Sequence, residues 1–196
     1  MSTLPYYARY FEIKKGDIIV NLGACIGKAT LYFSGKASPK GLVVAVEPVV
    51  ENFILLTRSI LSRKLYNVIP LMMAIWETTG RAQINLAHPE KGYASHSLVF
   101  ERTHGKREVP TISWDDLVEL CDLSHVNLMK IDIEGGECEV LRGMTRVLPG
   151  KIVMEEHIRK EKDPAKKLEE IYLLLRAKGY DVEVREHCYI YARRGE

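Results

Sequence analysis

The sequence predicts a single α/β domain over residues 1–196, built on a doubly wound, mainly parallel sheet with a terminal antiparallel strand. Two observations predict this fold class. Short strand-like runs alternate with helical stretches, which is the pattern of βαβ units and of a parallel sheet covered by helices on both faces. The last two strand-like runs are too close together for a crossover helix, so they must pair antiparallel.

The first half of the chain alternates predicted strands and helices behind an N-terminal extension. Continuous apolar runs such as "DIIVNL" are typical of strands buried on both faces, and apolar residues three and four positions apart indicate helices. In chain order these criteria give an extension at 1–15, a strand at 17–22, a helix over 27–38, a strand at 42–48, a helix over 50–62 and a strand at 67–71.

The second half begins with a polar stretch, 81–110, that is typical of a hairpin or loop, although "RAQINLA" within it alternates like an extra strand. A helix follows in "SWDDLVELC", where Ser113 is a suitable N-cap and Asp116 completes a pair that resembles a capping box. The remaining elements are a strand at 126–133, a helix over 137–148, a strand at 151–156, a helix over 164–178 that Gly179 ends, and two strands within 180–194.

Composition indicates a cytoplasmic protein without a clear nucleic-acid signature. The formal net charge is +2, acidic and basic residues are mixed, and no basic tail is present. The N-terminus lacks a signal-peptide core, and the apolar runs are too short to span a membrane. The cysteines lack metal-ligand spacing, so we expect no structural zinc and reduced thiols at Cys25, Cys121, Cys138 and Cys188, the last of them in a strand.

Function is expected at one edge of the predicted sheet. Ligands of open α/β sheets bind beyond the C-terminal ends of the parallel strands, near the point where the strand order reverses. The sequence places these ends after residues 22, 46, 71, 133 and 155.

The loop after the first strand, "NLGACIGKA", contains two glycines and a lysine. Such a loop can bind the phosphates of a nucleoside triphosphate, the pyrophosphate of a dinucleotide, or a ligand without phosphates. It is one residue short of a phosphate-binding P-loop, and Ala29 has no hydroxyl group for magnesium. It also lacks the middle glycine that lets a dinucleotide pyrophosphate approach the backbone. The loop therefore favours a ligand without phosphates.

An acidic residue, Glu47, lies at the end of the second predicted strand and indicates which class of ligand binds there. A carboxylate at this position can accept hydrogen bonds from both hydroxyl groups of a ribose. A nucleoside without a pyrophosphate needs only one or two close glycines, and S-adenosylmethionine is such a ligand. The alternative is that Gly23 and Gly27 only form a tight turn between strand and helix.

Several motifs together resemble the FkbM-type methyltransferases, a branch of the class I, Rossmann-like enzymes that depend on S-adenosylmethionine. The resemblance covers about residues 16–157 and is most specific in "VNLMKIDIEGGECEVLRGM", which is close to the family's Lys-Ile-Asp-Val-Glu-Gly-x-Glu signature. Further parts of the family pattern are resembled by "GDIIVNLGACIGKATLYFS", "VVAVEPVVENFILL", "IPLMMAIWETTG", "VPTISWDDL" and "IVMEEH".

The resemblance implies S-adenosylmethionine as the cofactor and assigns its contacts. Asn21 departs from the family, which usually has an Asp there that interacts with the cationic amino group of the cofactor. A neutral Asn would lose that attraction. The other matching positions are Gly23, Ala24 and Gly27 for the cofactor loop, Glu47 for the ribose hydroxyls, Pro48 beside the adenosine, and Ala74 and Ile75 near the adenine.

The segment "KIDIEGGE" supplies the main predicted catalytic residues. On an extended strand Lys130, Asp132 and Glu134 would point to one side, at the end where ligands bind, and Glu137 would begin the next helix. Crowded carboxylates raise one another's pKa, so Asp132 or Glu134 can serve as a base near neutral pH. The alternative is that Lys130 only pairs with a carboxylate and Glu137 only caps a helix.

His157 follows the next strand and is predicted either to reach the same rim as a catalytic residue or to lie in solvent. A divalent metal held by Asp132, Glu134 and Glu155 is conceivable, but their spacing is not that of a recognised metal loop, so no metal is expected.

The polar segment 87–108 is the predicted lid or acceptor-binding loop, because long loops on such scaffolds often carry specificity. Its predicted acceptor contacts are Tyr93, Ser95, His96 and Ser97; the alternative is an exposed hairpin without a ligand.

The sequence therefore predicts an S-adenosylmethionine-dependent methyltransferase, and the resemblance implies O-methylation of a hydroxyl group on a small molecule or glycan. An N-methyltransferase on the same scaffold and a non-catalytic nucleoside- or cofactor-binding module are the alternatives. A homo-oligomer is left open, and no membrane partner is expected.

Overall fold

The computed structural model describes residues 6–88, 95–157, 163–185 and 189–195. A short 3₁₀ turn, Tyr6–Ala8, precedes five helices in these ranges: α1 (Lys28–Ala37), α2 (Val50–Ser62), α3 (Trp114–Leu120), α4 (Glu137–Arg142) and α5 (Pro164–Ala177). The strands are β1 (Ile18–Leu22), β2 (Leu42–Val46), β3 (Val68–Leu71), β4 (Ala74–Ile75), β5 (Gly80–Asn85), β6 (Lys106–Ile112), β7 (Leu128–Ile131), β8 (Lys151–Glu155), β9 (Tyr180–Arg185) and β10 (Tyr189–Arg194).

Seven strands form the main sheet in the order β3-β2-β1-β7-β8-β10-β9. The first five run parallel, whereas β10 pairs antiparallel with both β8 and β9. The predicted doubly wound sheet is therefore confirmed, and the antiparallel strand that ends the chain lies inside the sheet, with β9 at the edge. The strand order reverses between β1 and β7, which places the ligand crevice between their C-terminal ends.

Apolar side chains of the main sheet alternate between two cores, one on each face. Along β1, Val20 and Leu22 belong to the core beneath α3, α4 and α5, whereas Ile19 belongs to the core beneath α1 and α2. Because consecutive residues of a strand point to opposite faces, this alternation buries both faces of the sheet. On the second face, Phe11 of the N-terminal extension joins the core beside Tyr191 of β10.

The stretch predicted as a hairpin or loop, 81–110, contains most of β5 and β6, which join β4 in a second sheet of order β4-β6-β5. β5 begins one residue before the predicted extra strand, overlaps it and pairs antiparallel with β6, a strand that the prediction did not place. "KREVPTI" of β6 begins with charged residues and contains Pro110, so its sequence does not resemble a buried strand. Val49, Ala74, Ile84 and Val109 form a small core of their own beneath this sheet.

Two helix predictions have different outcomes at their ends. The predicted cap of α3 is confirmed, since the Ser113 hydroxyl accepts a hydrogen bond from the Asp116 amide at 3.2 Å. The helix predicted over 137–148 is too long, because α4 ends at Arg142. A Cβ on Gly143 would lie 2.8 Å from the Glu77 carbonyl oxygen, so the backbone passes close to another segment there. Within the described ranges, no helix is long and apolar enough to cross a membrane.

Candidate active site

A pocket lies at the C-terminal ends of β1, β2 and β7, on the edge where the sequence predicted function. The second sheet and residues 95–98 close its other side. Its wall is formed by Gly23, Cys25, Val46, Glu47, Pro48, Asn52, Ala74, Ile75, Trp76, Ile84, Ser95, His96, Leu98, Asp132, Ile133, Glu134 and Gly136. The predicted residues that do not line it include Asn21, Ala24, Gly27, Ser97, Lys130 and His157.

The glycine turn after β1 is shaped by a close approach to the turn after β7. Gly23 has a φ of 75°, and a Cβ there would lie 1.8 Å from the Asp132 carbonyl oxygen. The amides of Gly23 and Ala24 both donate to the Val46 carbonyl, at 3.1 and 2.9 Å. Gly27 has a φ of 98° and packs against Leu56. Glycine at 23 therefore lets the two chain segments that border the crevice touch.

Glu47 is held in the pocket wall by three donors. One carboxylate oxygen accepts from the Cys25 amide at 2.8 Å, and the other accepts from the Val49 amide at 3.0 Å and the Asn52 side chain at 3.2 Å. Burial raises the pKa of this carboxyl group, and the three hydrogen bonds oppose that rise. A carboxylate has about four lone-pair positions, so these donors leave room on Oε2 for a ligand hydroxyl.

Asn21 lies beneath the glycine turn and is fully buried. Its side-chain nitrogen donates to the Thr30 hydroxyl of α1 at 2.9 Å. Its side-chain oxygen has no hydrogen-bond partner among the described residues. A buried acceptor without a partner lowers the stability of the fold by about 1–3 kcal/mol. A ligand or water molecule that donates a hydrogen bond to this oxygen would recover that stability.

The turn after β7, residues 132–136, brings the predicted acidic residues together, and we call it the acidic turn. β7 ends at Ile131, so the prediction that Asp132 and Glu134 continue the strand is wrong. Glu134 adopts a left-handed conformation with φ of 60°. Both carboxylates nevertheless face the pocket, and the Lys130 amino group lies 3.2 Å from Asp132 and 3.3 Å from the Gly23 carbonyl. Lys130 thus pairs with a carboxylate, as the alternative interpretation expected.

His157 is packed among three carboxylates behind the pocket wall, with a side chain only 9% exposed. Its Nδ1 lies 3.1 Å from Glu137, and its Nε2 lies 3.5 Å from Glu134 and 3.9 Å from Asp132. The interpretation of His157 as a solvated loop residue is therefore wrong. Burial by itself lowers the pKa of His157, but the hydrogen bond to Glu137 and the three negative charges outweigh it and raise the pKa.

The same charges affect Glu155 at the end of β8. Burial and then the negative charge of Asp132 raise its pKa, while His157 and Lys130 oppose the rise. Among the residues that the structure describes, no group of three or more His, Cys, Asp or Glu side chains is arranged to hold a metal ion.

A segment of the predicted lid, residues 95–102, closes over the turn after β7, and we call it the cap. The Ser97 hydroxyl donates to the Glu134 carbonyl at 2.6 Å. Phe100 packs on Gly135, where a Cβ would approach its ring to 2.5 Å. Arg102 lies 3.2 Å from the Glu134 carboxylate and donates to the Ser95 carbonyl at 2.6 Å. The cap and the acidic turn therefore form one packed unit.

Only some of the acceptor contacts predicted in segment 87–108 line the pocket. Ser95 and His96 line the pocket, whereas the Ser97 hydroxyl is engaged with the turn. Tyr93 and Cys188 lie outside the described residues. Sequence reasoning missed Asn52, Trp76 and Arg102. For Asn52 a signal existed, since it is a polar residue four positions before Leu56 and therefore on the buried face of α2.

Residues 21–182 match the family model of the methyltransferase FkbM domain. The chain belongs to this family. The match runs from Asn21 at the end of β1 into β9, so it contains the glycine turn, Glu47, the acidic turn and His157. The predicted family is thereby confirmed.

A curated relative of this FkbM chain is the hexuronic acid methyltransferase AglP of Haloferax volcanii. It is 32% identical over 148 residues, which cover 74% of this chain and 58% of that protein. The chain thus spans less than two thirds of the relative that it matches.

Solved structures support the fold assignment of this FkbM chain. The methyltransferase FkbM of Methylobacillus flagellatus superposes with a TM-score of 0.68 at 17% identity, over 95% of this chain and 46% of that one. Fibrillarin of Aeropyrum pernix, solved with natively bound S-adenosyl-L-methionine, gives a TM-score of 0.57 at 19% identity, over 93% of this chain and 68% of that one. The fold is that of the class I, Rossmann-like methyltransferases.

Proposed function

We propose that this FkbM domain transfers a methyl group from S-adenosylmethionine to a hydroxyl group of a small molecule or glycan. The observation that carries the proposal is the pocket, which combines a glycine turn, an anchored carboxylate and an acidic turn at the crevice between β1 and β7. Membership of the FkbM methyltransferase family supports the reaction class. The relative that acts on a hexuronic acid supports a sugar-type acceptor.

The residues of the crevice fit the proposed cofactor. Gly23 leaves the backbone open where any side chain would collide with Asp132, and Glu47 presents a fixed acceptor for a ribose hydroxyl. The oxygen of Asn21 has no described donor and does not line the pocket, so it would meet the cofactor's amino group through a water molecule. Ala74 and Ile75 of β4 give the wall an apolar surface for the adenine. When bound, S-adenosylmethionine would supply an activated methyl group on a sulfonium.

The acidic turn would manage the proton of the acceptor hydroxyl. Transfer to oxygen forms an O–CH₃ bond and breaks the O–H bond, so a base must take the proton. Asp132 suits this role because it lines the pocket and its side chain is 31% exposed, against 15% for Glu134 in the same turn. Lys130 lies behind it and compensates the local negative charge.

Calorimetric titration of S-adenosylmethionine, ATP and NAD against the protein tests the cofactor. We expect S-adenosylmethionine to bind most tightly, and Glu47→Ala to weaken it about 10-fold or more, the effect of losing a hydrogen bond to a charged group. Glu51→Ala is the matched control, because Glu51 lies in the first turn of α2, a short distance along the chain from Glu47, and pairs with Arg107 on the surface. Tight binding of NAD or ATP without S-adenosylmethionine binding would refute the proposal.

A labelled-methyl transfer screen over sugars, uronic acids, lipids, polyketides and RNA tests the acceptor. With an acceptor in hand, Asp132→Asn should lower kcat about 10²-fold or more, since a positioned base contributes 10²–10⁴-fold. Its affinity for S-adenosylmethionine should stay close to that of the wild type. Full turnover in this variant would remove Asp132 as the base, and methylation confined to amines would favour N-methyl transfer.

A further inference from the structure

We propose that Glu137 is a positioning residue that orients His157, so that His157 receives the proton which the pocket carboxylate removes from the methyl acceptor. The inference rests on the proposed function for the proton that it moves. The contact that it assigns, however, belongs to the protein alone and can be measured without a substrate.

The geometry resembles a base held by a buried acid. Glu137 is buried in the first turn of α4, and one of its oxygens faces His157 Nδ1 at 3.1 Å and accepts from the Gly135 amide at 3.0 Å. The second contact fixes the carboxylate against the acidic turn itself. A carboxylate bonded to one ring nitrogen of a His selects the tautomer and the ring orientation, which leaves the other nitrogen for proton transfer.

The other ring nitrogen, Nε2, points toward the pocket carboxylates. It lies 3.5 Å from Glu134 and 3.9 Å from Asp132, and both of these residues line the pocket. His157 does not line the pocket, so it acts through them. Glu134 is also bound by Arg102 of the cap and Asp132 by Lys130, in each case through the carboxylate oxygen other than the one nearest His157.

In the proposed transfer the acceptor oxygen would gain the methyl group, the methyl–sulfur bond would break with its electron pair left on sulfur, and the proton of the acceptor O–H bond would move to the Asp132 carboxylate. The neutral carboxyl group passes it to Nε2 once the 3.9 Å between Asp132 and Nε2 closes to hydrogen-bond distance in the substrate complex, giving an imidazolium whose Nδ1–H donates to Glu137. The imidazolium releases the proton to water after the products leave, which restores the starting charges. Glu137 contributes by stabilising the imidazolium, as a buried acid does for a catalytic His.

The groups that face His157 are Glu137, Glu134 and Asp132, with Glu155 near enough for their charges to interact. All four are acids, and a negative charge on any of them favours the protonated form of His157. A readout specific to Glu137 is therefore the tautomer of the neutral ring, because only Glu137 faces Nδ1 at hydrogen-bond distance among the described residues.

Imidazole ¹⁵N NMR over a pH series, with His157 assigned from a His157→Gln sample, tests the proposal. In the wild type we expect the neutral ring to carry its proton on Nδ1. In Glu137→Gln we expect the titration midpoint of His157 to fall and the tautomers to mix. Glu139→Gln is the matched control, because Glu139 also lies in the first turn of α4 but pairs with Arg142; its spectra should match the wild type.

Several outcomes overturn the proposal. A wild-type neutral ring protonated on Nε2 would do so without any variant, which covers the case in which Glu137→Gln fails to fold. An unchanged His157 titration in Glu137→Gln, or an equal change in Glu139→Gln, would do so as well. Calorimetry with S-adenosylmethionine separates the two proposals, since Glu137→Gln should keep the wild-type affinity within about two-fold. Loss of binding in the wild type would refute the proposed function alone.

Once the screen provides an acceptor, the pH dependence of kcat tests the proton path itself. Glu137→Gln should lower kcat and shift the pH at which the rate changes, with little change in KM. A lower kcat with the wild-type pH profile would indicate a structural role only and would overturn the relay.

Discussion

At the scale of single residues, the least expected feature is the buried Asn21. The side chain is fully buried, bonded to Thr30 on one side and without a described partner for its oxygen. Folded proteins rarely leave such an atom unsatisfied. A ligand that brings a donor to the glycine turn would remove this cost. Asn21 would therefore affect both the stability of the protein without cofactor and the affinity for the proposed cofactor.

We predict that Asn21→Asp will destabilise the protein and tighten binding of S-adenosylmethionine. A buried carboxylate loses its hydration, and one hydroxyl donor from Thr30 compensates little of that loss, so we expect about 1–3 kcal/mol of lost stability. The added negative charge attracts the cationic amino group of the cofactor. Urea unfolding and calorimetry measure the two effects. Weaker binding of S-adenosylmethionine in the variant would contradict the placement of that amino group beside residue 21.

At the scale of elements, the sequence predicted the parts whose patterns are local. The apolar runs of β1 and β2 and the Ser113 cap of α3 are confirmed because each depends on neighbouring residues. β6 was missed because its strand character comes from pairing with β5, which no local pattern shows. The close approach between Gly23 and Asp132 joins residues more than a hundred positions apart, so the sequence supplied the residues of the crevice but not their contact.

The same limit applies to the acidic turn and the cap. The resemblance pointed to Asp132 and Glu134, but a strand pattern gave the wrong reason for their proximity, because the turn after Ile131 brings them together. Arg102 carries no local signal, since an arginine in a polar stretch is ordinary. Its role appears only when the chain folds back and places it on Glu134.

We predict that Arg102→Met will loosen the cap while the main sheet stays intact. The variant removes a partly buried ion pair with Glu134 and the bond to the Ser95 carbonyl. Hydrogen bonds that involve charged groups contribute about 1.5–3 kcal/mol. Hydrogen exchange followed by mass spectrometry should show faster exchange in peptides that cover residues 95–102, with strands β1 and β7 unchanged.

Arg81→Met is the control for the cap. Arg81 pairs with Glu108 across β5 and β6, but both side chains are largely exposed, and exposed ion pairs contribute about 0–1 kcal/mol. Exchange in 95–102 should therefore match the wild type in this variant. Equal effects of the two substitutions would show that Arg102 does not hold the cap.

At the scale of the whole molecule, the two faces of the main sheet are covered unequally. Three helices cover one face, and α1 and α2 cover part of the other. Beyond them, residues of the N-terminal extension complete the layer. Tyr7 packs edge-on against Phe33 of α1, and Phe11 packs edge-on against Tyr191 of β10. The extension predicted at 1–15 is thus, where described, a structural layer over β10.

We predict that Phe11→Ala will lower the free energy of unfolding by about 3–5 kcal/mol, the usual cost of truncating a buried Phe. Phe11 is buried, packs against Tyr191 and lies beneath the side chains of Lys151 and Arg193, so its removal opens a cavity over β10. Urea unfolding followed by circular dichroism measures the change. Tyr66→Ala is the control, because Tyr66 is 91% exposed and should change stability by less than about 0.5 kcal/mol. If Phe11→Ala unfolds at the wild-type midpoint, the extension is a surface attachment that the sheet does not need.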